Sequence, residues 1–248
     1  MARALRVALL FAVGVQAFVG PSLRSRLVVG KGRGFDGVGV RSTSEGVERA
    51  TPRGRELAEK LKNVNLYLVG MMGSGKSVVG EAISRQLGSY TFVDTDETIE
   101  KAVGSSVGEL FASEGEPGFR AVEEQVLGQV AAYVRLVIAT GGGIVTTKAN
   151  WASLRQGIVV WLDVPTDALV ARLDGDAERA KRPLLGDRDG LEAKLDAMLE
   201  DRASLYGEAD VRVSLGGGES AGEVADLVID DVITFINDNP AKTTPPEA

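Results

Sequence analysis

Short apolar runs alternate along the chain with longer stretches in which apolar residues recur at helical spacing. Apolar runs bounded by glycine or turn residues are typical of strands that are buried on both faces of a parallel sheet. We predict five such strands, at residues 65–69 (NLYLV), 91–93 (TFV), 135–139 (RLVIA), 157–162 (GIVVWL) and 210–214 (DVRVS).

The stretches between these runs favour helices. Residues 76–87 place Val79, Ile83 and Leu87 on one helical face, and Gly88 follows as a C-cap. Residues 55–62 and 219–237 are predicted to be the first and last helices of the domain. Strands that alternate with helices form βαβ units with right-handed crossovers, so we predict an α/β fold, a three-layer α/β/α sandwich around a parallel sheet.

Residues 1–55 differ from the rest of the chain in charge. They carry a net charge of +7, whereas residues 56–248 carry −14. Arg3 and Arg6 precede the apolar run 7–15, which is too short to span a bilayer and is typical of a signal peptide. Residues 22–44, rich in Arg, Ser and Gly, have the composition of a transit peptide.

Together these two segments resemble the bipartite leader of algal proteins imported into plastids behind extra membranes. We therefore expect residues 1–55 to be a disordered leader and the protein to reside in the plastid, with an ordinary secretory leader as the alternative. Residues 56–238 are predicted to form one domain, and the polar residues 239–248 a disordered tail.

The composition narrows the possible chemistry. The chain contains no cysteine and no histidine. This excludes disulfides, zinc sites built from Cys and His, thiolate nucleophiles and Ser-His or Cys-His pairs. Carboxylates, Lys, Arg, hydroxyls and backbone amides remain, and phosphoryl transfer uses this inventory. The acidic charge of residues 56–248 also argues against nucleic-acid binding.

Residues 70–77 (GMMGSGKS) match the phosphate-loop pattern G-x-x-x-x-G-K-[ST] in full. Its glycines let successive backbone N–H groups point at phosphate oxygens, and the following helix adds its positive end. A strand–helix turn without a ligand is the alternative, but a buried strand precedes the loop and an amphipathic helix follows it, as the motif requires. The predicted nucleotide-binding residues are Gly73, Ser74, Gly75, Lys76, Ser77 and Val78, with Lys76 bridging the β- and γ-phosphates and Ser77 binding Mg²⁺.

Two carboxylates follow the second predicted strand. Asp94 and Asp96 are two residues apart, and on a strand such residues project on the same side, here toward the phosphate loop. One would serve a metal ion and the other an acceptor hydroxyl. The alternative is that both are N-caps of the helix predicted at 97–103.

Three further patches have both a functional and a structural interpretation. Arg120 and Glu123 share one helical face, either in a binding site or as a surface ion pair. The glycines at 141–143 either let a ligand approach a buried strand closely or form a tight turn. Arg182 lies in the charged stretch 174–190, which is either a lid over the transferring phosphoryl group or a solvated loop.

These patches occur together in the order and roughly the spacing of one family. The motifs at 70–77, 93–96 (VDTD), 118–123 (GFRAVE), 141–143 (GGG), 182–185 (RPLL) and 201–206 (DRASLY) resemble those of shikimate kinases. The resemblance covers about residues 65–237.

The resemblance implies the fold of nucleoside monophosphate kinases, a P-loop kinase fold with a five-stranded parallel sheet in the order 2-3-1-4-5. It implies that Ser77 binds Mg²⁺ directly and Asp94 through water, and that Asp96 binds the ring hydroxyls of shikimate and accepts the proton. Arg120 and Arg202 would bind the substrate carboxylate, with Glu123 orienting Arg120. The substrate would also lie against Gly141, Gly142 and Gly143, and Gly142 would donate a backbone N–H to it. Arg182 would close over the phosphates.

This sequence departs from the family pattern at two places that the resemblance assigns to adenine binding. Many relatives carry an adenine-stacking arginine seven residues before the lid arginine, where this chain has Gly175, so either Arg172 or Arg179 is the candidate. The loop 215–218 (LGGG) also lacks the Arg or Lys that some relatives place there.

The expected activity is Mg²⁺-dependent phosphorylation of the shikimate 3-hydroxyl by ATP, a step of chorismate biosynthesis. The expected partners are ATP and shikimate, and the mature protein is expected to be a monomer without stable membrane association. A gluconate-type kinase and a non-catalytic shikimate kinase-like interaction module are the alternatives.

Overall fold

The computed structural model describes residues 50–174 and 190–243. Most of the predicted leader lies outside the described residues, and so do Gly175, Arg179 and Arg182. The strands are β1 (Leu66–Val69), β2 (Thr91–Asp94), β3 (Leu136–Ala139), β4 (Ile158–Asp163) and β5 (Val211–Ser214). The helices are α1 (Pro52–Lys60), α2 (Lys76–Leu87), α3 (Thr95–Val103), α4 (Val107–Ala131), α5 (Asn150–Leu154), α6 (Thr166–Leu173), α7 (Leu191–Tyr206) and α8 (Ala221–Asp238), with 3₁₀ turns at Ile144–Thr146 and Pro240–Thr243.

The five strands form one sheet in the order β2-β3-β1-β4-β5, and every neighbouring pair is parallel. This confirms the predicted fold class and the strand order. Leu66 of β1 pairs with Val137 on one side and Ile158 on the other, so β1 is central. All residues of β1 and β3 are buried, as expected for strands covered on both faces.

Helices cover the sheet and bury its apolar side chains in one core. α1, α2 and α8 pack against one another, and α2 also contacts β2 and β3. Ile83 of α2 and Val228 of α8 are fully buried in this layer. α3 packs against α4, and α6 packs against α7. None of the described helices is long and apolar enough to cross a membrane.

The two ends of the domain differ from the sequence prediction. α1 begins at Pro52, inside the segment predicted as leader, because Thr51 caps it by accepting a hydrogen bond from Gly54 N at 2.9 Å. Residues 240–243 were assigned to the disordered tail, but they form a turn in which Thr243 is buried. Lys242 holds this turn against the domain through an ion pair of 2.8 Å with Asp210.

Candidate active site

The segments that carry the predicted site residues follow β1, β2 and β3 at the carboxyl edge of the sheet. Ligands of open α/β sheets bind at this edge. The phosphate loop follows β1, Asp94 ends β2, and residues 141–143 follow β3. The loops touch one another, since a Cβ on Gly142 would lie only 3.0 Å from Met72 N. The parallel topology therefore brings the donor and acceptor motifs together.

The phosphate loop depends on left-handed glycines. Gly73 has a φ of 80° and Gly75 a φ of 92°, values that residues other than glycine rarely adopt. Gly75 precedes α2, and no side chain caps the N–H groups of the first turn of this helix. These N–H groups and the helix dipole are suited to an anion. Val78, on the first turn of α2, is 57% exposed.

The side chain of Lys76 is folded under the phosphate loop. Its ammonium donates to Gly70 O at 2.9 Å and to Met71 O at 2.8 Å, and it lies 3.3 Å from Ser74 Oγ. Lys76 and Ser74 are both buried. The loop thus holds the cation within reach of the anion site formed by its own backbone.

Ser77 and Asp94 form a pair of hard oxygen ligands beside the loop. Ser77 Oγ donates to Asp94 Oδ2 at 2.6 Å. A hydroxyl and a carboxylate fit Mg²⁺, which commonly binds one or two protein oxygens plus phosphates and water. Among the described residues no three acidic side chains come together to form an all-protein metal site.

Asp94 also caps α3, as the structural alternative proposed. Its Oδ1 accepts hydrogen bonds from Asp96 N at 2.9 Å and Glu97 N at 3.3 Å. The expectation that Asp94 and Asp96 project from one strand is wrong, because β2 ends at Asp94 and Asp96 lies in the first helical turn. Helical geometry, not strand alternation, therefore sets the position of the Asp96 carboxyl.

Asp96 carries the most perturbed carboxyl group of the site. Burial, followed by the charges of Asp94 and Glu123, raises its pKa to about 6, and Lys76 opposes this rise. Its Oδ1 is buried and accepts no hydrogen bond from the described residues. An orphaned buried acceptor at the mouth of a phosphate site is suited to a ligand hydroxyl.

Arg120 is largely buried and Glu123 completely so, which makes the surface ion-pair alternative wrong. Arg120 Nη1 lies 2.8 Å from Glu123 Oε2, and the Glu123 side chain is fully buried. A second carboxylate, Glu116, accepts from Arg120 Nη2 at 3.1 Å. Burial raises the pKa of Glu123, and the Arg120 charge opposes that rise. Arg120 Nε and Glu123 Oε1 are buried without a hydrogen-bond partner in the described part of the chain.

Two of the three glycines after β3, Gly141 and Gly143, lie where side chains would collide with this polar cluster. A Cβ on Gly141 would lie 2.8 Å from Glu123 Oε1 and 3.0 Å from Asp96 Oδ1, and one on Gly143 would overlap the Arg120 guanidinium. Gly141 N donates to Thr95 Oγ1 at 3.1 Å. The segment is both a turn and a place of close approach, so the two interpretations describe one structure.

Helix α7 contacts the glycine loop (residues 141–143) through Arg202 and Tyr206. Arg202 Nη1 lies 3.4 Å from Gly142 O. Sequence reasoning assigned no role to Tyr206, whose hydroxyl donates to Gly142 O at 2.5 Å. Its spacing of four residues from Arg202 was the available signal, since residues i and i+4 share a helix face.

Arg172, one of the two predicted candidates for the adenine contact, joins two loops. Its Nη1 donates to Gly73 O at 3.1 Å and its Nη2 to Gly217 O at 2.8 Å. Glu219 accepts from the N–H groups of Gly216 and Gly217, at 2.7 and 2.8 Å. Arg172 therefore lies beside the phosphate loop, while Arg179 and Arg182 are outside the described residues.

Comparisons with known proteins all identify shikimate kinases as similar to this chain. The sequence model of the shikimate kinase family matches residues 72–233. The shikimate kinase of Synechococcus sp. (strain RCC307) is 49% identical over 179 residues, which cover 72% of this chain and 89% of the relative. That of Gloeobacter violaceus is 52% identical over 159 residues, covering 63% and 86%.

A solved structure shows the same similarity. Shikimate kinase from Acinetobacter baumannii in complex with shikimate superposes with a TM-score of 0.66 at 34% identity. The match covers 71% of this chain and 97% of that one. From the sheet topology, the phosphate loop and these relatives, we conclude that the chain belongs to the shikimate kinase family.

Proposed function

We propose that this protein transfers the γ-phosphoryl group of ATP to the 3-hydroxyl of shikimate and releases ADP and 3-phosphoshikimate. The observation that carries the proposal is the juxtaposition of the phosphate loop with a polar cluster whose atoms lack partners. Asp96 Oδ1, Arg120 Nε and Glu123 Oε1 are all buried without a hydrogen-bond partner in the described part of the chain. Unpaired buried polar atoms are costly, so their clustering favours a polar ligand there.

On the donor side, the backbone of residues 70–77 binds the phosphates. Lys76 exchanges the carbonyls of Gly70 and Met71 for β- and γ-phosphate oxygens, which are stronger partners for an ammonium ion. Ser77 and Asp94 would hold Mg²⁺ with the nucleotide, where the ion would neutralise negative charge on the phosphate oxygens.

On the acceptor side, Asp96 accepts the proton of the attacking hydroxyl. A carboxyl group with a pKa of about 6 is ionised at pH 7 and is more basic than an exposed aspartate. The acceptor also needs a fixed position. Arg120 and Arg202 supply two planar guanidinium groups for the shikimate carboxylate, beside the backbone of Gly141, Gly142 and Gly143. Glu123 orients Arg120 through their 2.8 Å ion pair. We propose, from the sequence motif alone, that Arg182 closes over the phosphates.

The direct test measures ADP release by the purified chain with ATP, Mg²⁺ and one of three acceptors: shikimate, quinate or gluconate. We expect turnover with shikimate. Turnover with gluconate but not shikimate would favour the related small-molecule kinase, and turnover with none would favour a non-catalytic module. Lys76→Ala should abolish turnover, whereas Lys62→Ala, an exposed lysine before β1, should not. This pair distinguishes the activity of the chain from a contaminating ATPase.

A further inference from the structure

The hydroxyl of Tyr206 lies between the two halves of the candidate active site. Tyr206 is the last residue of α7 and is fully buried. Its hydroxyl donates to Gly142 O at 2.5 Å and lies 3.6 Å from Met71 Sδ in the phosphate loop. Burial raises the pKa of Tyr206 to about 12, so the group remains a donor at neutral pH.

The ring of Tyr206 is held in place by the sheet. It stacks on Trp161 of β4, with ring centroids 5.6 Å apart and an interplanar angle of 21°. Arg212 of β5 also contacts Trp161, with its guanidinium carbon 4.5 Å from the indole centroid. Because β4 and β5 are rigid elements, the hydroxyl is delivered to the glycine loop from a fixed position.

The glycine loop is anchored through its carbonyls. Gly141 O accepts a hydrogen bond from Ile144 N at 3.1 Å. Gly142 O accepts a short hydrogen bond from the Tyr206 hydroxyl at 2.5 Å and a longer one from Arg202 Nη1 at 3.4 Å. The N–H groups of Gly142 and Gly143 donate to no acceptor among the described residues. In a planar trans peptide the C=O and the N–H point in opposite directions. Fixing Gly142 O on Tyr206 therefore directs Gly143 N–H away from α7.

We propose that Tyr206 is a positioning residue. Its hydroxyl fixes the peptide between Gly142 and Gly143 so that the loop presents its backbone N–H groups to the acceptor substrate. The inference rests on the proposed function, since it takes shikimate as that substrate. Two properties make Tyr206 suitable: it bonds the peptide on the side opposite the Gly143 N–H, and it shares one helix face with Arg202.

The test is Tyr206→Phe, which removes the hydroxyl and keeps the ring on Trp161. We expect the KM for shikimate to rise about 3- to 10-fold, the loss of one neutral hydrogen bond, with the KM for ATP unchanged. Tyr67→Phe is the matched control, because it also removes a fully buried hydroxyl. The Tyr67 ring lies against Gly157, at the amino end of β4 and away from the site, so both KM values should stay at wild type.

The outcomes separate this inference from the proposed function. A wild-type chain that does not phosphorylate shikimate contradicts the proposed function itself. An active wild type with an unchanged shikimate KM in Tyr206→Phe overturns the positioning role, as does an equal rise of both KM values. If the variant does not fold, the proposal is tested instead by backbone amide hydrogen exchange of the wild-type protein, measured with and without shikimate. Shikimate is expected to slow exchange at Gly142 and Gly143, and unchanged exchange there overturns the proposal.

Discussion

At the scale of single residues, the Asp96 carboxyl shows how a basic group is made without histidine. It lies beside two other acidic groups, Asp94 and Glu123, and burial removes it from solvent. Each of these effects disfavours the charged form, and the charge of Lys76 opposes them. The folded protein therefore keeps a carboxylate in a place where its ionisation costs stability.

Asp96→Asn should separate activity from stability. Transfer should fall by about 100-fold or more, because the proton acceptor is lost. The stability of the variant at pH 7.5 should rise by about 1 to 3 kcal/mol, measured by urea unfolding, because an amide need not ionise. A variant with near-normal turnover would contradict the assigned base.

The sign of the stability effect depends on pH. The pKa of Asp96 is about 6 in the folded state against 3.8 for an ordinary aspartate, so between these values the folded state binds more protons. Wild-type stability therefore falls as pH rises through this window, and the advantage of the variant should vanish near pH 4. Asp196→Asn, an exposed residue of α7, is the control and should change neither activity nor stability.

Residue roles were only partly predictable from the sequence. The phosphate-loop motif located Lys76 and Ser77 because its spacing encodes one backbone conformation. No motif shows that Glu123 is fully buried, since its burial depends on contacts between elements that are distant in sequence. Tyr206 was missed for the same reason, because its partner Gly142 is 64 residues away.

At the scale of elements, helix α2 is packed against β2 through a glycine. A Cβ on Gly80 would lie 2.6 Å from the Phe92 ring, closer than real Cβ contacts. α2 begins at the phosphate loop, so its distance from the sheet also sets the position of that loop. In contrast, Gly128, near the C-terminal end of α4, is exposed and has open space where a side chain would begin.

Alanine at these two positions should have opposite effects. Gly80→Ala should lower the free energy of unfolding by about 1 to 3 kcal/mol, because the added methyl group would clash with the Phe92 ring and force α2 away from β2. Gly128→Ala should raise it by about 0.5 to 1 kcal/mol through helix propensity alone. Urea unfolding of both variants measures the difference. If both variants shifted in the same direction, the close packing of α2 on β2 would be refuted.

The elements were more predictable than their ends. The apolar runs identified β1, β3 and β4, because strands buried on both faces need apolar residues throughout. β5 instead alternates buried and exposed residues, which is typical of a strand covered on one face. The boundary between β2 and α3 was misplaced, since Asp94 both ends a strand and caps a helix. The kink in α4 at Gly115, with a φ of 68°, was also not predicted.

At the scale of the whole molecule, the two chain ends of the domain are attached to its body. Arg53 of α1 pairs with Asp230 of α8, and Lys242 pairs with Asp210 at the start of β5. Composition alone suggested that these residues were leader and tail. Composition describes what a segment can do by itself, whereas these contacts exist only once the domain has folded.

The C-terminal turn should contribute measurably to stability. A chain ending at Thr243 should be more stable than one ending at Asn239 by about 1 to 2 kcal/mol, because the shorter chain lacks the Lys242–Asp210 pair and the buried Thr243. Thermal and urea unfolding of the two chains provide the measurement. Equal stability would show that the turn is not held to the domain.

The contact between Gly143 and Arg120 has a consequence for natural variation. A Cβ on Gly143 would overlap the guanidinium group, so any substitution at 143 requires the side chain at 120 to shorten or move. A substitution at 143 is therefore not tolerated while Arg120 keeps its position. During evolution, glycine at 143 should be retained wherever arginine is retained at 120, and it should vary only where that arginine has been lost.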